Sequence, residues 1–179
     1  MRIHLSILFF LGVYSFISIL LTNCQSATSQ QEGDKISYVD TLLIKPGKDG
    51  KVRLSDEQWE EILKPSAYAV LREKKTEFAF SGSLLKNKKE GTYLCAGCHQ
   101  PLFSSTTKFE SGTGWPSFYD VIAQTNIKEI KDESYGMNRI EVVCSRCDGH
   151  LGHVFEDGPV PTGLRYCINS AALLFDEKK

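Results

Sequence analysis

The 179-residue chain has almost no net charge, since 21 Lys and Arg stand against 22 Asp and Glu to leave −1. So balanced a sequence lacks the basic field that dominates nucleic-acid binding, and it offers no polybasic surface to a membrane. No internal repeat is visible. Some residue types are scarce enough to be accounted for one by one: two Trp, four His and six Cys. What is plentiful is ordinary. A content of 41% hydrophobic and 11% aromatic residues is that of a folded protein, and the length suits one domain with appendages.

Charge is also missing from Leu5 to Leu21, after Arg2. A basic start followed by an apolar core reads as a secretory signal over residues 1–23. The run approaches the roughly 17–25 residues of a membrane span, so a retained anchor is the competing reading. The following "LLTNC" resembles the lipobox of a bacterial lipoprotein, which implies lipidation of Cys24 and a domain exported to the cell envelope. Next comes "QSATSQQEGDK", which lacks the apolar residues needed to offset its ordering entropy and reads as a tether. Residues 24–50 are assigned to tether and linker, with a short strand around Tyr38–Ile44 and a turn at "KPGKDG". The folded domain is placed at 51–179.

Within that domain, Ser55 and Gln58 have the form of a capping box. Trp59, Ile62 and Leu63 share the face of a helix that Pro65 ends, because Lys64 is pushed out of the α region. Pro65 can open a second helix with Tyr68, Val70 and Leu71 inward. Beyond Phe78, short pieces ("TYLC", "PLFSS", "VIAQT", "NRIEVVC", "HVFE", "RYCIN", "ALLF") alternate with turn residues. The pattern predicts an α+β fold, a mainly antiparallel β domain behind short N-terminal helices.

Four cysteines fall in two C-x2-C pairs, Cys95 with Cys98 and Cys144 with Cys147. Two such knuckles make a tetrahedral four-thiolate site, for which one structural Zn2+ is the default ion. Structural disulfides are an alternative in an exported domain. A mixed site of Cys144, Cys147, His150 and His153 is a third, but it leaves Cys95 and Cys98 idle. With four thiolates the ion has no open position for water or substrate.

Cys167 remains, in "GLRYCINSAAL". A free cysteine is commonly a small buried hydrophobe. Here, however, "DGHLGHVFEDG" supplies His150 and His153, and "SGTGWPSF" supplies Trp115. Both are glycine-dense segments, where loops carry function more often than they fill cores. These two stretches, the knuckles and "CSRCDGHLGHVFEDGPVPTGLRYCINSAAL" resemble the type B methionine sulfoxide reductases, from about Leu54 to the C-terminus. The resemblance implies two antiparallel sheets with flanking helices, a structural zinc, and repair of methionine-R-sulfoxide in proteins or peptides. It implies Cys167 as nucleophile with His150, His153 and Asn169 around it, and Trp115 as the wall that accepts the substrate methyl group.

The residue types suit that chemistry independently. A sulfoxide needs a soft nucleophile for sulfur and an acid for the departing oxygen, which a thiolate and an imidazole of pKa near 6.5 supply. An indole face packs well against a methyl group carrying partial positive charge. Asn169 both donates and accepts, so it can hold a polar network. Arg165 could lower the Cys167 pKa or only anchor the strand, and His99 reads as a surface or turn residue. Many relatives of this type carry a second, resolving cysteine where this chain has Thr113. Unless Cys24 is free and reaches in, reduction of a Cys167 sulfenic acid therefore falls to an external thiol, thioredoxin-like or small. The rival reading is an exported zinc-ribbon binding module in which Cys167 merely packs, and it predicts an exposed basic or aromatic stripe.

Overall fold

The computed structural model describes residues 44–179. The signal segment, Cys24, the tether and all but the last residue of the expected strand at Tyr38–Ile44 lie outside the described residues. The first described turn is the expected one, closed by the Gly47 amide donating to Lys51 O and the Gly50 amide to Gly47 O.

Helix α1 spans Asp56–Ile62, and its capping box is complete. The Gln58 amide donates to Ser55 Oγ and the Ser55 amide donates to Gln58 Oε1. Leu63 and Lys64 are extended, and α2 (Pro65–Leu71) starts on the proline, whose missing N–H costs nothing in a first turn. Trp59, Leu63, Ala67, Val70 and Leu71 are buried, whereas Tyr68 is only half-buried. Among the described residues no helix is long and apolar enough to cross a membrane.

Nine strands follow in two antiparallel sheets. They are β1 (Gly91–Cys95), β2 (Pro101–Ser104), β3 (Lys108–Phe109), β4 (Ser117–Phe118) and β5 (Ile127–Asp132), then β6 (Arg139–Cys144), β7 (His150–Phe155), β8 (Arg165–Ile168) and β9 (Leu173–Glu177). The small sheet has the order β2-β1-β9 and the large one β3-β4-β8-β7-β6-β5. An aromatic cluster joins them. Phe103 of β2 stacks on Phe118 of β4 at 4.4 Å, and Tyr93 of β1 meets Phe118 edge-on at 4.9 Å. Tyr166 of β8 completes it, 5.8 Å from Phe103. All four rings are at most 1% exposed.

One expected strand is absent and another unexpected one is present. "VIAQT" forms an irregular bend and a 3-10 turn at Gln124–Asn126. The strand lies further on, in "IKEIKD", which shows a charged face because β5 is an edge.

Candidate active site

The two knuckles are built alike. In each, the residue after the second cysteine takes a left-handed conformation, His99 at φ 56° and Asp148 at φ 58°. Its amide donates back to the first cysteine, His99 to Cys95 O and Asp148 to Cys144 O, both at 2.9 Å. The expectation that His99 is a turn residue is met. The four cysteines are at most 5% exposed, and their sulfurs lie within 4.8 Å of one another. Cys95 Sγ is 3.7 Å from Cys147 Sγ, and Cys98 Sγ is 3.5 Å from Cys144 Sγ. A tetrahedral ion with metal–sulfur bonds near 2.3 Å sets its ligands about 3.8 Å apart, so these four sulfurs could hold a metal ion. Hydrogen bonds from Cys147, Cys95 and Cys98 hold Cys144 far below the usual thiol range, while bonding to Cys144 pushes Cys95 up. The four are free cysteines, and the histidines of the mixed alternative bond elsewhere. The helices cover this cluster: Arg72 lies over the Trp59 ring at 5.2 Å and donates to Cys147 O.

Cys167 sits mid-strand in β8 and its neighbours are set by register. His153 of β7 pairs with it on one side and Ser117 of β4 on the other, while Glu141 of β6 pairs with His153. Directly opposed residues share a face about 5 Å apart, so Ser117, Cys167, His153 and Glu141 form one row across the sheet. Three residues apart in a regular strand, His150 and His153 would face opposite ways. They do not, because the β6–β7 ladder slips between Val142 and Val143, where β7 advances two residues against one of β6. Leu151 is the extra residue of this bulge and is fully buried. His150 thereby joins the face of His153, the two rings 5.5 Å apart. Gly152 permits the close approach of β7 to β8: a Cβ there would stand 2.1 Å from Cys167 O.

Each imidazole has a carboxylate. His150 Nδ1 lies 2.7 Å from Glu141 Oε1, and Lys74 Nζ 2.9 Å from the other oxygen. Burial alone would push Glu141 up, but the Lys74 and His150 bonds outweigh it and hold it below its ordinary value. Burial pushes His150 down against the pull of Glu141. The two directions agree on an ionised Glu141 accepting from a neutral His150, which fixes the proton on Nδ1. His150 Nε2 is buried without a hydrogen-bond partner. His153 Nε2 lies 2.8 Å from Asp132 Oδ2. Bonds from the Ser134 hydroxyl and amide, then from His153 and Arg139, hold Asp132 far below the carboxylate range.

Around the thiol, burial pushes Cys167 up, and Thr113 and Arg165 pull it partly back. Thr113 Oγ1 is 3.8 Å from Cys167 Sγ, at the end of a hydroxyl chain through Ser111 to Ser117. Arg165 does both things expected of it, since it also anchors the strand by a two-pronged bond to Asp157 and by stacking on Phe155. Asn169 donates its side-chain amide to Leu151 O and accepts from the Glu77 amide. It ties three segments together rather than pointing a free group outward.

The structure thus brings Cys167, His153 and His150 onto adjoining strands, with Asn169 just past the end of β8, while Trp115 stands apart from the imidazoles. The histidines line a cleft of about 440 Å³ with Lys74, Asp132, Arg139 and Glu141. Trp115 lines another of about 300 Å³ with Phe80, Leu85 and Phe109. The strand carrying Cys167 runs between the segments that line them. Sequence reasoning missed Glu141, Asp132 and Glu77. The only available signal was Glu141, an acidic residue amid the apolar run of β6.

A sheet-borne thiol with Ser117 on one side and the carboxylate-held His153 on the other, in the same domain as a four-cysteine cluster, is an arrangement suited to thiol chemistry. A family model described as the SelR domain matches residues 63–177. The peptide methionine sulfoxide reductase MsrB of Methanosarcina barkeri is 64% identical over 124 residues, covering 69% of this chain and 87% of that protein. The same-named protein of Leptospira interrogans is 57% identical over 128 residues, covering 72% of this chain and 98% of its own length. The chain belongs to the MsrB family and is an oxidoreductase acting on a sulfur group.

Proposed function

We propose that the protein reduces methionine-R-sulfoxide in proteins or peptides, with Cys167 as nucleophile. The observation that carries this is the row in which Cys167 stands opposite His153. The thiolate attacks the sulfoxide sulfur while the oxygen takes a proton and passes to the cysteine. Methionine leaves reduced by two electrons, and Cys167 becomes a sulfenic acid. His153 is the proton donor: Asp132 holds and orients one ring nitrogen, and the other serves the departing oxygen. His150, kept neutral by burial, positions Glu141 and the β7 bulge. Trp115 receives the methyl group, and Asn169 holds β8 against Leu151.

No second cysteine stands beside Cys167 among the described residues, so an external thiol resolves the intermediate. One thiol condenses with the sulfenic acid, releasing water and forming a mixed disulfide. A second releases Cys167 as a thiol and leaves the reductant oxidised. Cys95, Cys98, Cys144 and Cys147 hold one structural Zn2+, which staples the β1–β2 and β6–β7 turns and takes no part in the reaction. The apolar run and "LLTNC" support an exported protein, processed at residue 23, tethered by lipid on Cys24, and followed by the catalytic domain from residue 51.

The test is incubation with each epimer of a methionine sulfoxide peptide plus dithiothreitol. Reduction of the R epimer alone is expected, because fixing methyl, oxygen and main chain leaves one handedness in line with the thiolate. Equal rates on both epimers would overturn the substrate reading. Detergent-phase partition of the wild type, lost in Cys24→Ala, tests the tether.

A further inference from the structure

Between α2 and β1 the chain runs for nineteen residues, 72–90, without helix or strand, yet it is pinned to both halves of the site. Most of the pinning passes through Glu77. Its carboxylate accepts the Ser170 amide at 2.6 Å on one oxygen and the Ala171 amide at 3.0 Å on the other. Its own amide donates to Asn169 Oδ1 at 3.1 Å. Its carbonyl accepts the Trp115 indole N–H at 3.2 Å. Neighbouring residues reinforce the strap: the Leu84 amide donates to Ser170 Oγ, and the Phe80 amide to Gly114 O. Gly82 is required where the strap crosses, since a Cβ would stand 2.4 Å from Ser170 Cβ and 2.7 Å from Glu77 Oε1.

Trp115 and the 169–171 backbone belong to different strands' ends, and no other residue described above bonds to both. We infer that Glu77 is a positioning residue that sets the indole wall relative to the Cys167 strand. This rests on the reading of Cys167 as nucleophile and Trp115 as methyl acceptor. The carboxylate is suited to the task because two oxygens meet two N–H groups and both bonds are charge-assisted. Its grip lies two to four residues beyond Cys167, so losing it displaces the geometry without touching the sulfur. Substrate methyl and sulfur must be held at once, and a misplacement of about 1 Å can cost on the order of a hundredfold.

Glu77→Ala and Glu77→Gln test this in the full domain. Glutamine keeps one acceptor oxygen but turns an N–H toward an N–H, so it should restore part of what alanine loses. For Glu77→Ala, kcat/KM toward the sulfoxide peptide should fall on the order of a hundredfold, with KM rising. Alkylation of Cys167 by iodoacetamide should stay within about twofold of wild type, since the thiol keeps its neighbours. By NMR, the Trp115 indole N–H and the Ser170 and Ala171 amides should exchange faster with solvent, while the Trp59 indole does not change. If the alanine variant does not fold, the near-isosteric glutamine variant carries both measurements. Unchanged exchange at Trp115 and at Ser170 and Ala171 overturns the inference, as does a loss of activity matched by the unfolded fraction with KM unaltered. Should the wild type reduce neither epimer, the reaction reading falls by itself, and the exchange pattern still decides what Glu77 holds.

Discussion

The molecule uses cysteine in two opposite ways. At the knuckles, four thiols lie in two identical turns, each closed by a left-handed residue and a backbone bond to its first cysteine. At β8, one thiol stands alone, and His153, Ser117 and Thr113 reach it from other strands and a loop. The first arrangement is local and repeats itself. The second exists only once β4, β8, β7 and β6 are in register. On the proposed reading, thiols that serve stability can be specified within four residues, whereas a reactive one is specified by the whole sheet.

The largest expected effects separate the two uses. Cys167→Ser should bring reduction below detection while metal content and melting temperature stay unchanged, because serine lacks the soft, ionisable sulfur. Appreciable turnover in that variant would sink the nucleophile assignment. Cys95→Ser should fail in the reverse order, losing metal and stability first. A structural ion in a small domain contributes several kcal/mol or more, against a total stability of about 5–15 kcal/mol. Metal analysis and thermal unfolding of the two variants side by side decide whether the contrast holds. Wild-type stability after complete metal removal would erase it.

How legible each region was follows from the same contrast. The knuckles, the capping box and the proline-led second helix could be read directly, since each depends on residues at most four apart. Grouping Cys167 with His150 and His153 rested on their glycine-dense segments and on the resemblance, not on any spacing. Nothing in "HLGHVF" announces that Leu151 is a bulge, which is what turns His150 to the side of His153. Asp132 was invisible for a further reason: it ends β5, an edge strand whose lysines and glutamates resemble a loop. Glu77 lies in a segment without regular structure, ninety-three residues from the Ser170 amide it accepts. Long-range backbone bonds of that kind leave no periodicity to find.

A middle-sized effect probes the carboxylates behind the imidazoles. Asp132→Asn removes the carboxylate that holds the His153 ring at 2.8 Å, so kcat toward the sulfoxide peptide should fall on the order of tenfold or more while the melting temperature changes little. An unchanged kcat would transfer the proton-donor role away from His153.

Stability against pH gives a smaller effect. In the unfolded chain His150 takes its proton near pH 6.5, whereas burial lowers that value in the folded protein. Between the two values the unfolded state binds more protons, so stability falls as pH drops below about 6.5. Asp132 and Glu141, also held low when folded, add a second loss below about pH 4. Melting temperatures from pH 8 downward should show both declines. His150→Asn should flatten the first and leave the Asp132 share of the second; an unaltered first decline would assign it to another group.

The smallest effect lies at Thr113, and it sharpens the comparison most. The Thr113 hydroxyl is 3.8 Å from Cys167 Sγ and stabilises its thiolate. Thr113→Val removes that donor, so the alkylation midpoint of Cys167 should rise and the alkylation rate at pH 7 should fall. Thr113→Cys asks a different question. A sulfur there must close from about that separation to an S–S bond near 2.05 Å, and the loop has Gly112 at φ 75° with open space around it. After one equivalent of sulfoxide without reductant, Thr113→Cys should end two hydrogens lighter than it began, and the wild type one oxygen heavier. In the first case a thiol has resolved the sulfenic acid from within, and in the second it awaits one from outside. A wild-type product lighter by two hydrogens, with Cys167 in a disulfide, would mean that Cys24 or a knuckle cysteine reaches it. The separation between stabilising and reactive thiols would then break down.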